Sequence, residues 1–153
     1  MAQTVIDPAD GLIADVVGPW ASDKHERLRK YIDAARAARA KYLPPRGTGG
    51  AAYIELFSGP GRSFVEHEET FIDGSPLVAY KAAQKSGTNF SGLHLNDLNP
   101  DNIDALNRRI AKLGGAASFH NDEAENAVDK IIYALERDGV RLNRLRIPKS
   151  DRF

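Results

Sequence analysis

The stretch Tyr53-Ile54-Glu55-Leu56-Phe57-Ser58-Gly59-Pro60-Gly61-Arg62 constrains this chain more than any other. Tyr53, Ile54, Leu56 and Phe57 are strand formers, and the loop Gly47-Thr48-Gly49-Gly50 precedes them. The strand then meets Gly59 and Gly61. Neither carries a Cβ, so the backbone there can take a positive φ and a ligand can come close. A strand running into a glycine turn at the head of an alternating α/β pattern is how nucleotide-type cofactors are held at a sheet's C-terminal edge. The same G-x-G also occurs as a plain turn, so the rest of the chain must decide.

The flanking segments alternate as such a sheet requires. Residues 1–19, with Pro8, Gly11, Gly18 and Pro19, read as a surface arm pinned by Leu12, Ile13, Val16 and Val17, with Trp20 as an anchor. A helix is expected from about Asp23 to Tyr42, capped by Asp23 with Glu26 as reciprocal partner. Leu28, Tyr31, Ile32 and Ala35 form its apolar face. Its other face carries Lys24, Arg27, Arg29, Lys30, Arg36, Arg39 and Lys41. Such a face is ordinarily a solvated surface, and a phosphate-tracking surface is the functional alternative. Pro44-Pro45 ends the helix.

Beyond the glycine turn, Ser63 to Gly74 has no helical period and reads as an irregular loop or small hairpin. Ser75 as N-cap and Pro76 at the first helical position open a helix to about Lys85. Gly92 to Leu95 is a second strand. Asn99 and Pro100 open the next helix, with Ile103, Leu106, Ile110 and Leu113 as its apolar face, and Gly114-Gly115 stops it. Ala116 to His120 is a third strand, and a last helix carries Ala124, Val128, Ile131, Ile132 and Leu135 on one side. The order α-β-α-β-α-β-α predicts an α/β fold: an open, Rossmann-like parallel sheet covered by helices. The chain divides into an N-terminal arm and helix, residues 1–50, and an α/β domain, residues 51–153.

Composition narrows the function classes. The chain has 153 residues, 42% hydrophobic and 27% charged, which suits one folded domain with a core. Formal net charge is zero, so overall charge predicts neither a nucleic-acid nor a membrane partner. The absence of cysteine excludes disulfides and thiolate chemistry, and fits a reducing cytoplasm. No apolar run approaches the ~20 residues of a membrane span, and the N-terminus does not read as a secretion signal.

Three features stand at the ends of three successive strands: the Gly59-Pro60-Gly61 turn, Asp97 and Asp122. An acid after the second strand is placed to accept ribose hydroxyls, and one after the third can reach an adenine edge. Taken singly, Asp97 is also a plain turn residue and Asp122 a helix cap. His67-Glu68-Glu69 is not the H-E-x-x-H metal pattern, and His25, His94 and His120 are scattered. Gly-Pro-Gly-Arg-Ser lacks the lysine and spacing of a P-loop.

Four blocks together resemble a family. They are Val17-Gly18-Pro19-Trp20 with Lys24, Leu28 with Tyr31, Glu55 through Arg62, and Gly74-Ser75-Pro76-Leu77. This combination is similar to the three-Cys-motif partner proteins, bacterial proteins with a methyltransferase-like fold encoded beside a radical-type protein bearing three cysteines. The resemblance runs from about Asp10 to about Leu135. It implies a class I methyltransferase-like fold with S-adenosylmethionine as cofactor. On that resemblance Gly59 and Gly61 face the methionine part, Asp97 the ribose and Asp122 the adenine, with Glu55, Phe57 and Ser75 completing the cofactor-binding set. It also implies the three-cysteine radical-type protein as a partner, which would carry the cysteines this chain lacks. The family's reaction is poorly defined. A non-catalytic partner protein retaining the fold, and a nucleotide or dinucleotide binder, therefore stand as alternatives.

The tail departs from the family. Val140 to Lys149 alternates apolar with basic residues and has no Asp-Pro where the acceptor side of such proteins is built. A strand buried on both faces would have to desolvate several arginines. The expectation is an N-terminal part of a longer protein, truncated or with a diverged tail, whose third strand is an exposed edge and which transfers no methyl group alone.

Overall fold

The computed structural model describes residues 3–140. They form a mixed α/β structure with two sheets. The strands Ala52–Glu55 (β3), Gly92–Asn96 (β6) and Ser118–His120 (β7) make a parallel sheet in the order β3-β6-β7. Tyr53 pairs with Leu93, and Leu95 with Phe119. Among the described residues β3 and β7 each pair on one side.

Side-chain alternation sorts the sheet's two faces. Leu95 packs with Leu77 of α3 (Ser75–Lys85) and with Leu106 and Ile110 of α4 (Pro100–Lys112), joined by Tyr53 and Phe119. The opposite face receives α5 (Ala124–Arg137), whose Ala127, Ile131 and Leu135 meet Ala52 and Leu56. Two consecutive crossover helices thus share one face, as right-handed connections in one direction require, and the chain changes face after β7. A third cluster, Ile32 with Ala79, Ala82 and Ala83, docks α1 (Trp20–Ala34) on α3.

The second sheet corrects the reading of residues 1–19 as an arm. Thr4–Ile6 (β1) and Ile13–Val17 (β2) form an antiparallel pair. β2 then runs parallel to Arg62–Val65 (β4), which pairs antiparallel with Thr70–Asp73 (β5). The segment between the glycine turn and α3 is accordingly a hairpin, closed by a 3₁₀ turn at Glu66–Glu68. The β2–β4 pairing crosses the boundary near residue 50, because Val16 partners Phe64. Arg109 of α4 fastens this sheet to the other. Its guanidinium forms a bidentate pair with Asp10 and donates to the carbonyls of Ile13 and Pro60, the latter at 2.7 Å.

Four details of the helices also differ from expectation. The helix expected over 23–42 begins at Trp20 with Pro19 as N-cap, and breaks at Ala35 before α2, Arg36–Ala40. The break lets Arg39 fold back and donate to the carbonyl of Ile32, left over at the end of α1. Arg39 therefore leaves the solvated basic face: it is buried, bonds Thr88 and Ser86, and lies 5.1 Å over the Phe90 ring. Tyr31, assigned to the apolar face, is exposed. Gly74, one residue before Ser75, is the N-cap of α3, while Asn99 caps α4 as expected by accepting from the Asp101 N–H. The tail from residue 141 lies outside the described residues, and with it the expectation about a fourth strand.

Candidate functional site

The C-terminal edge of the parallel sheet is held together by a residue the sequence does not single out. Asn96, the last residue of β6, is 1% exposed. Its amide donates to the carbonyls of Leu56 and Asp122, and its Oδ1 accepts from the Asp122 N–H at 3.1 Å. Its own carbonyl accepts from Ser58. One buried side chain thus fixes the chain just past β3 and β7 against the end of β6. Its position directly before the strand-end acid is the one mark it leaves in the sequence, and any turn former shares that mark.

That arrangement brings Gly59, Asp97 and Asp122 to one edge. The Gly59 N–H donates to Asp97 Oδ2 at 2.9 Å. Asp97 Oδ1 accepts from the Asn99 N–H at 2.9 Å and from the Asn102 amide at 3.2 Å. Asn121 closes the next turn by donating to the carbonyls of Asp97 and Leu98. Asp97 is half-buried, and Leu98 next to it in sequence and Phe57 just past β3 are exposed apolar side chains.

Each glycine of the turn has a positive φ, +65° for Gly59 and +91° for Gly61, a conformation side chains resist. Both are also demanded by packing inside the protein rather than by open space. A Cβ on Gly59 would lie 2.9 Å from Asp15 Oδ2, and one on Gly61 2.9 Å from Leu106 Cδ1. Asp15, an acid in the middle of β2, is a second site residue the sequence reading passed over, since it sat inside a short apolar run. Burial, and then the charge of Asp97, push its carboxyl above the usual carboxylate range.

Asp122 lies one residue before Glu123, the N-cap of α5, so it is not the cap itself. Its Oδ1 accepts from the Glu123 N–H and the Asn126 amide, and its Oδ2 pairs with Lys130 at 2.6 Å. The bond from Lys130 is the main cause holding its carboxyl below the ordinary range. Glu55 and Ser75 form a separate cluster on the α3 face of the sheet. The Ser75 hydroxyl donates to Glu55 Oε1, and the Tyr53 hydroxyl to Oε2 at 3.1 Å. Desolvation outweighs both bonds and pushes the Glu55 carboxyl up to about 7. Of the seven residues singled out, then, Gly59, Asp97 and Asp122 share the strand-end edge with exposed Phe57. Gly61 turns inward beneath α4, and Glu55 and Ser75 bond each other.

Two hollows lie away from this edge. One of about 420 Å³ opens between α1 and α3, lined by Arg29, Arg36, Lys81 and Lys85 with Asp33 and Asp73. Another, of about 800 Å³, borders Gly49, Ala52, Ile54 and Leu135. Among the described residues no three His, Cys, Asp or Glu side chains gather as metal ligands, and no helix is long and apolar enough to cross a membrane. Compared with known proteins, the chain matches no family model, no curated protein and no solved structure.

Proposed function

We propose that this chain is a cofactor-binding module of Rossmann-like, methyltransferase-like type, and that it takes S-adenosylmethionine at the C-terminal edge of the β3-β6-β7 sheet. The observation that carries the reading is the bond from Gly59 N–H to Asp97 Oδ2, which couples the glycine turn to the strand-end acid. Ligands of open α/β sheets bind outside the carboxyl ends of the strands, where the chain changes face, and here that change follows β7.

The donor and acceptor count fits such a ligand. A carboxylate offers about four acceptor positions, and Asp97 uses three of them on the backbone N–H groups of Gly59 and Asn99 and on the Asn102 amide. One position on Oδ2 stays open to a ribose hydroxyl, so Asp97 would accept one hydroxyl rather than both. Asp122 likewise uses three positions, two on Oδ1 and one on Oδ2, and the one on Oδ2 is an ion pair with Lys130 that partly neutralises it. Its part is to anchor the edge through its backbone, with Leu98 and Phe57 supplying apolar surface for a purine. When bound, the cofactor supplies an electrophilic methyl group on a sulfonium; the chain's own residues bind and orient it. The resemblance to the three-Cys-motif partner proteins supports the choice of cofactor and suggests a three-cysteine radical-type protein as partner.

Thermal-shift screening tests the reading. A ligand that binds only the folded state raises the melting temperature. S-adenosylmethionine and its demethylated product should raise it saturably, and NAD and ATP should not. A shift with NAD or ATP alone would move the site to nucleotide binding.

A further inference from the structure

We propose that Asp15 receives the amino group of the ligand's amino-acid half, making it the residue that distinguishes an aminoacyl-bearing nucleoside from a bare one; this rests on the cofactor reading above. Asp15 lies in β2, which reaches the glycine turn from the other sheet. Its Oδ2 is close enough to Gly59 that a methyl there would sit at 2.9 Å. Its Oδ1 is enclosed and accepts no hydrogen bond among the described residues. A buried acceptor without a donor is unusual enough to require a reason.

Among the described residues no cationic side chain pairs with Asp15. Arg62, next to the strand partner Ser63, and Arg109, which bonds the Ile13 carbonyl, are committed elsewhere, Arg62 to Asp7 and Asp73 and Arg109 to Asp10. The charge facing Asp15 is that of Asp97, which disfavours a second carboxylate. An isolated, partly buried acid beside another acid destabilises the free protein, and a ligand cation would reverse that. An ammonium suits the geometry better than a metal ion. Calcium and magnesium require six or more oxygen ligands, whereas Asp97 has already given three of its acceptor positions to N–H donors.

Calorimetry on the full chain tests this, with wild type and Asp15→Asn each titrated with S-adenosylhomocysteine and with 5′-deoxy-5′-methylthioadenosine, which lacks the amino-acid half. The variant should lose at least tenfold in affinity for S-adenosylhomocysteine and stay within twofold for methylthioadenosine. It should also melt no lower than wild type, since an uncompensated charge has been removed. Equal losses for both ligands, or no loss, overturn the role of Asp15 while leaving the cofactor reading intact. Wild type that binds neither compound removes both. Should Asp15→Asn fail to fold, wild type alone decides: S-adenosylhomocysteine with its amino group replaced by hydrogen should bind at least tenfold more weakly than the parent, and equal binding overturns the assignment.

Discussion

Glu55 is the residue whose ionisation most affects this fold. Its carboxyl is raised to about 7 by burial, against an ordinary value of 4.5. Between those two values the folded state holds more protons than the unfolded chain, so stability falls as pH rises through that window. Removing the charge should therefore help above it: Glu55→Gln is expected to exceed wild type by on the order of 2–3 kcal/mol at pH 8 and to match it near pH 4, measured by urea unfolding at both pH values. A gain of equal size at both pH values would show that packing, not ionisation, sets the effect. Asn96 behaves oppositely. Its truncation leaves the Leu56 carbonyl and both backbone groups of Asp122 without partners. Asn96→Ala should cost roughly 2–4 kcal/mol in the same assay, given about 1–3 kcal/mol for each buried group left unsatisfied. Neither residue's role was legible in the sequence. A strand-end asparagine looks like any turn former, and the pull on Glu55 depends on burial that only the docking of α3 creates. Gly59 and Asp97 were legible, because a positive-φ turn and a strand-end acid each have few chemical substitutes. Arg39 misled for the converse reason: a charged side chain on a basic helix face gives no sign that four carbonyl and hydroxyl groups surround it.

At the scale of elements, the parallel strands and their helices could be read because each carries its own period and its own cap, as Asn99-Pro100 does for α4. Of the four-stranded sheet, only the β4–β5 hairpin was among the readings of the sequence. The sheet's strands are three to five residues long, and Asp15 finds its parallel partner at Ser63. Pairing at that separation leaves no local mark beyond a few β-branched residues. The element that makes this sheet matter is α4, through Arg109. The guanidinium is almost wholly buried and binds Asp10, Ile13 and Pro60, so it ties the N-terminal hairpin to the glycine turn. Arg109→Met should cost about 3–5 kcal/mol by leaving Asp10 and two carbonyls unpaired. It should also loosen the turn, read as faster amide exchange at Gly59 and Gly61. Loss below about 1 kcal/mol would mean that the hairpin is held by its strand pairing alone.

For the whole molecule, zero formal charge and the local basic groove between α1 and α3 point to weak polyanion binding at most. Arg29, Arg36 and Lys81 are already paired with Glu26, Asp33 and Asp73. Duplex DNA should bind with a dissociation constant no tighter than about 1 μM at physiological salt, steeply weakened by added salt, in a fluorescence-anisotropy titration. A nanomolar, sequence-selective complex would contradict that. The central claim concerns the C-terminal edge of the parallel sheet, where Gly59 and Asp97 follow β3 and β6. A ¹⁵N–¹H correlation titration with S-adenosylhomocysteine tests it most directly. The account predicts saturable shifts of the Gly59, Asp97, Leu98 and Glu123 amides, with the α1/α3 groove unchanged. Shifts confined to that groove, or none up to millimolar ligand, would contradict it.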